Sequence, residues 1–187
     1  PVIDPPTYCF CPRCFAAFAK EQGLPADTKL TPEMMTKEYR EKWTAFRCGQ
    51  NAQLVKHIGL GVKRGCPGIE FSVYSGTQGK YTMEHYGVDW KLMAPYLDLG
   101  IAGYGGARGA VQETVNALAP VPFMGGEMYY LSNTSVSGAA PNPLTWRNRL
   151  LRQCLDSGGV GVLIWWLPVM DGGAFYYTSE AAAVLAH

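Results

Sequence analysis

The sequence lacks the features that mark membrane and nucleic-acid-binding proteins. None of its apolar runs approaches the roughly 20 residues that a membrane-spanning helix needs. Its first residues, 1–6, have neither the basic nor the apolar region of a signal peptide. Neither charge sign dominates, since 16 basic residues stand against 15 acidic ones. These absences predict a soluble protein, cytoplasmic or secreted, that binds no membrane and no nucleic acid.

Cysteine is sparse, but its distribution is uneven. Three of the six cysteines lie within six residues, in Cys-Phe-Cys-Pro-Arg-Cys at 9–14. Cysteines this close together more often share a metal than pair with each other. The other three are predicted to be small buried hydrophobic residues; they are Cys48, Cys66 and Cys154.

Apolar, β-rich segments alternate with amphipathic helical segments along the chain. This alternation predicts parallel strands covered by helices on both faces, and hence an α/β fold. The strands are predicted at 69–74, 97–102, 121–125 and 160–166. The helices are predicted at 31–58, 82–94, 108–118, 143–157 and 179–185.

The number of strands decides between two α/β architectures. A complete (β/α)₈ barrel has eight strands and typically about 250 residues, whereas four clear strands occur here. An open sheet and a truncated barrel both remain possible, and the absence of a Gly-x-Gly-x-x-Gly motif after the first strand disfavours a dinucleotide-binding fold. We favour one partial domain over 1–187, the C-terminal half of a TIM barrel, because the chain opens into a loop that resembles an active-site loop.

Polar and aromatic residues follow the predicted strands, where a barrel carries its functional side chains. Glu127 stands out because it follows an apolar strand and two glycines and precedes two tyrosines. It is the predicted catalytic carboxylate, although a solvated loop acid is the alternative. Six residues are predicted to bind substrate: Tyr74, Tyr104, Tyr129, Trp165, Trp166 and Asp171. We expect Glu127 to lie on the same face as Tyr74, Tyr104 and Trp165 or Trp166.

Two segments, the cysteine run at 9–14 with Phe-Ala-Ala-Phe at 15–18, and Trp-Thr-Ala-Phe-Arg at 43–47, resemble glycoside hydrolase family 42 β-galactosidases and related barrel enzymes. The resemblance implies a retaining hydrolase of a β-linked glycoside, with paired glutamates on barrel strands four and seven. Counting back from the segment at 160–166 as strand eight, Glu127 falls at the nucleophile position. The acid/base residue is then missing upstream of Pro1, or Asp4 substitutes for it.

The same resemblance implies a structural zinc site. In that family the three-cysteine cluster binds zinc together with a fourth cysteine from the upstream half of the barrel, which implies Cys9, Cys11 and Cys14 as ligands here. Three thiolates supply three corners of a tetrahedral zinc site, and free thiols of a degenerate site are the alternative. An iron–sulfur cluster fits less well, because the spacing differs from the common ferredoxin patterns.

Other hypotheses remain open. The glycine-rich segment 103–109 precedes a helix and could hold a phosphate group of a phosphosugar. His57 and His85 have no metal-ligand spacing and are predicted to be structural or surface residues. The main alternative to an enzyme is a non-catalytic half-barrel that binds carbohydrate or assembles with another chain. Because a half-barrel leaves strand edges bare, we expect self-association or pairing with a missing N-terminal half.

Overall fold

The computed structural model describes residues 9–25, 27–103, 108–129, 142–165 and 170–186. In this part of the chain, strands and helices alternate, and every strand pairs in parallel with its neighbour. The α/β prediction is therefore confirmed, and a four-stranded parallel sheet is consistent with part of a barrel. The strands, in sheet order, are β1 (Ser72–Ser75), β2 (Leu99–Ala102), β3 (Phe123–Met128) and β4 (Val162–Trp165).

Side-chain caps fix the start of several helices. The hydroxyl of Thr31 accepts a hydrogen bond from the Met34 amide at 3.3 Å, and the Asn142 side chain accepts one from the Leu144 amide at 3.0 Å. In both cases a proline follows at the first helical position, where its missing N–H costs nothing. The helices are α1 (Pro12–Glu21), α2 (Pro32–Thr36), α3 (Arg40–Gly65), α4 (Tyr81–Tyr86), α5 (Trp90–Met93), α6 (Arg108–Leu118), α7 (Pro143–Asp156) and α8 (Gly172–Leu185), with a 3₁₀ turn at Ala94–Tyr96.

Several boundaries differ from the predicted ones. The segment 12–21, which begins inside the cysteine run and contains Cys14, forms α1, where only a loop was expected. The predicted helix 31–58 is two helices, which separate after Thr36. The predicted helix 82–94 is also two helices, α4 and α5. Helix α4 is capped by Gly87, whose φ of 60° is the left-handed conformation that favours glycine at a helix end.

Three groups of buried side chains hold these elements together. The largest packs α3, α5 and α6 against the sheet, a second lies between α7, α8 and β4, and a third joins α1 and α2 to the start of α3. The third is aromatic: the ring centroids of Phe18 and Trp43 are 5.2 Å apart with their planes nearly perpendicular. Among the helices described, none is both long enough and apolar enough to cross a membrane.

Candidate functional site

Glu127 lies near the carboxyl end of β3, inside the strand rather than in a loop after it. It is only 4% exposed, although it carries a carboxylate. Its Oε2 accepts a hydrogen bond from Arg149 Nη2 on α7 at 2.8 Å. A charge-assisted bond of this length satisfies a group that would otherwise be costly to bury.

The side chain of Glu127 faces the helices that cover the sheet. A Cβ atom added at Gly125, two residues earlier and hence on the same face, would overlap Gln153 Nε2 on α7. Ile164, the register partner of Glu127 on β4, also packs on the core that α7 and α8 form. The carboxylate thus lies between β3 and α7.

Tyr74 lies on the other face. Gly125 pairs with Ala102, which is fully buried under the helices, so the next residue, Gly103, faces away from them. A Cβ atom added at Gly103 would overlap the Tyr74 hydroxyl. The expectation that Glu127 and Tyr74 share a face is therefore wrong; the catalytic role of Glu127 stays a prediction.

Burial and neighbouring charges shift the pKa of Glu127 in opposite directions. Removal from water raises the pKa of this carboxyl group above its usual value, and the positive charges of Arg149 and Arg152 offset that rise only in part. Loss of either arginine would therefore favour the protonated form.

Tyr129 and Asp171, both predicted to bind substrate, have structural partners. The Tyr129 ring packs edge-on against Trp146 of α7, with centroids 5.2 Å apart. Burial and the charge of Asp171 raise the pKa of the tyrosine. Asp171 Oδ1 accepts a hydrogen bond from the Ala174 amide at 2.7 Å and so caps α8. The remaining predicted residues lie outside the described residues: Asp4, Tyr104, Trp166 and the side chain of Trp165.

The three clustered cysteines converge, as the sequence predicts. Sγ of Cys9 is 3.7 Å from Sγ of Cys11 and 3.6 Å from Sγ of Cys14. Four sulfurs arranged tetrahedrally at 2.3 Å from zinc are about 3.8 Å apart, so these distances fit a shared metal. In the described part of the chain, no other group of three histidine, cysteine or acidic side chains could hold a metal.

The backbone and the local charges also suit a metal site. Cys9 has a φ of 68°, which is uncommon for a residue other than glycine and turns its side chain toward the other two. The Cys14 amide and the neighbouring thiols lower the pKa of Cys11 to about 7, whereas burial raises that of Cys14 to about 12. The cluster releases one proton readily, and a bound cation would favour release of the others.

Sequence reasoning missed Arg149. Its neighbours on the buried side of α7 include Trp146 and Gln153, which interrupt the apolar stripe with polar atoms. Nothing in the sequence distinguishes Arg149 from Arg147 and Arg152 on the same helix, because the position of β3 determines which arginine contacts Glu127.

The alternative sites are the glycine-rich segment and the two histidines. Most of the glycine-rich segment 103–109 lies outside the described residues. The Nδ1 atom of His57 lies 2.6 Å from the Gln53 carbonyl oxygen of its own helix, and His85 packs near Tyr81. Both histidines are surface residues, as predicted.

Comparison with known proteins gives a likeness of fold. No family model matches the chain, and no curated protein matches its sequence. Among solved structures, a chitinase from Chromobacterium violaceum ATCC 12472 is similar, with a TM-score of 0.55 and 9% sequence identity. The match covers 92% of this chain and 84% of that one. The chain therefore has a fold similar to that of this chitinase, and no likeness specific to family 42 is found.

Proposed function

We propose that the chain is part of a glycoside hydrolase that cleaves a β-linked glycoside with retention of configuration. The observation that carries the proposal is a buried carboxylate, Glu127, at the carboxyl end of a parallel strand in a sheet similar to that of a chitinase. Carboxyl ends of parallel strands are where barrel enzymes carry their reactive groups.

In this mechanism Glu127 attacks the anomeric carbon, and a second carboxylic acid protonates the leaving oxygen. The nucleophile must be ionised, and the Arg149 guanidinium favours that form. Because Glu127 faces α7, its carboxylate can meet a sugar only over the carboxyl edge of the sheet, just past Met128. The partner acid is Asp4 or a residue upstream of the chain, about 5 to 5.5 Å from Glu127 in a retaining enzyme.

The test is Glu127→Gln in the complete protein, with an activated aryl β-glycoside as substrate. Glutamine keeps the shape and removes the nucleophilic charge, so turnover falls by about three orders of magnitude or more. Glu70→Gln, which changes an exposed glutamate before β1, leaves turnover unchanged. Equal turnover in wild type and Glu127→Gln would refute the assignment.

The second candidate is a non-catalytic half-barrel that binds carbohydrate or assembles with another chain. The ion pair on the helix-covered face favours it, because a carboxylate committed to Arg149 has a structural role of its own. Under this alternative the wild-type complete protein leaves the aryl glycoside intact but binds a β-linked oligosaccharide in calorimetry, and Glu127→Gln leaves that binding unchanged.

Zinc is the ligand that we propose for Cys9, Cys11 and Cys14. The sulfur distances fit a tetrahedral site, and three thiolates suit zinc better than a hard cation. The metal would tie the residues before α1 to the first turn of that helix, and its fourth ligand would come from outside this cluster. It has no part in the proposed hydrolysis.

A further inference from the structure

Helix α7 and strand β3 meet at two matched positions. Gly125 of β3 lies against Gln153 of α7, and Glu127 lies against Arg149. From Gly125 to Glu127 the strand advances about 6.6 Å. From Gln153 back to Arg149 the helix advances about 6 Å. The two elements therefore run in opposite directions with nearly equal steps, and both contacts form together.

A close approach between the two elements makes the second contact possible. Gly125 has no side chain, and a Cβ there would overlap Gln153, which is itself only 4% exposed. This approach brings the Arg149 guanidinium onto the strand beside Glu127. The arginine side chain stays about a third exposed, whereas the carboxylate is almost fully buried.

The charged groups around Glu127 come from one element. In the described residues these are Arg149, in contact, and Arg152, at longer range, both on α7. On β4 the register partner of Glu127 is Ile164, which does not titrate. A third arginine of α7, Arg147, pairs instead with Glu180 of α8 at 3.6 Å.

We propose that Arg149 is a positioning residue that fixes both the place and the ionised state of the Glu127 carboxylate. Without the guanidinium, a carboxylate in this position would be an unpaired buried charge, and it would take up a proton to become neutral. The consequence for catalysis rests on the proposed function, since an unprotonated nucleophile is needed there. The charge control itself does not depend on Glu127 being catalytic.

The experiment follows the Glu127 carboxyl carbon by NMR as a function of pH, in the complete protein and in three variants. In Arg149→Met the titration midpoint rises by at least one pH unit, a tenfold change in proton affinity. In Arg152→Met it rises less, because that charge acts only at longer range. In Arg147→Met, the matched control on the same helix, it stays at the wild-type value. Arg149→Lys, which restores a charge, returns the midpoint part of the way.

The variants also give results that would overturn the proposal. An unchanged midpoint in Arg149→Met overturns it, as does an equal shift in Arg147→Met. If Arg149→Met does not fold at neutral pH, the double variant Arg149→Met with Glu127→Gln separates charge from packing. Folding of the double variant supports a charge effect. Failure of both variants to fold means that Arg149 acts only by packing, which overturns the proposal. The proposed function fails separately, when Glu127→Gln retains turnover while the Arg149→Met midpoint still moves.

Discussion

The clustered cysteines show how neighbouring side chains of one type acquire different chemistry. Cys11 has a pKa near 7 because backbone and thiol hydrogen bonds stabilise its thiolate, whereas burial raises that of Cys14. Metal-free protein should therefore react with iodoacetamide first at Cys11, since the thiolate is the nucleophile. Metal-replete protein should contain about one zinc per chain and should protect all three thiols.

Serine substitutions test whether zinc binds at the cysteine cluster and not at an isolated cysteine. Cys11→Ser removes one thiolate and should abolish zinc retention during dialysis, measured by elemental analysis. Cys66→Ser, at an exposed cysteine outside the cluster, should retain the metal. A zinc content near zero, together with free alkylation of Cys9, Cys11 and Cys14, would end the metal hypothesis.

Packing between elements makes Gly125 a sensitive position. Gly125→Ala places a methyl group inside the volume of the Gln153 side chain, so α7 must move outward or Gln153 must leave its buried position. The expected cost is about 1 to 3 kcal/mol of unfolding free energy, measured with urea. The shift of α7 should also weaken the ion pair between Arg149 and Glu127.

Gly61→Ala is the matched control, because it lies inside α3 with open space around its added Cβ. Alanine should stabilise this helix by about 0.5 to 1 kcal/mol. The two identical chemical changes should therefore have opposite signs. Equal effects at both positions would mean that α7 does not approach β3 as closely as described.

The sequence predicted elements well where the information is local. The helix at 108–118 was predicted within its observed bounds, and Thr31 and Asn142 marked helix starts through their caps. The end of β3 was missed, because Gly125 and Gly126 suggested a break. The strand continues since β4 pairs with it as far as Met128, and that pairing is not visible in the local sequence.

The candidate site was predicted in part for the same reason. The spacing of Cys9, Cys11 and Cys14 is a local property, and their convergence is confirmed. Which face Glu127 occupies depends on the register of β3 against its neighbours, and a shift of one residue reverses the face. Arg149 was missed because only the packing of α7 on the sheet selects it.

At the scale of the whole molecule, apolar surface and the two edge strands of the sheet are exposed in the described residues. Tyr74 is 39% exposed, and β1 and β4 each pair with one described strand only. Leu54 and Ile58 of α3 are also exposed, at neighbouring positions on one side of the helix. That 1–187 forms one partial barrel stays a prediction.

We expect these edge strands and exposed apolar side chains to associate with another chain. Bare parallel edges and exposed apolar side chains lower their free energy by pairing with another copy or with a missing half of the barrel. Sedimentation velocity over a hundredfold dilution should show a species larger than one chain that dissociates on dilution, or a stable complex when the upstream half is supplied. A folded monomer at every concentration would contradict this expectation.

Helix α3 spans about 39 Å with its 26 residues and belongs to two of the buried groups at once. Trp43 and Phe46, near its start, are part of the aromatic group that α1 completes, while Ala52 further along packs with the core of the sheet. The start of α3 therefore packs beside the cysteine segment, and a later part of the same helix packs beside β1. We therefore expect a displacement of α1, such as one that follows a change at the three sulfurs, to move α3 and, with it, the packing against the first strand of the sheet.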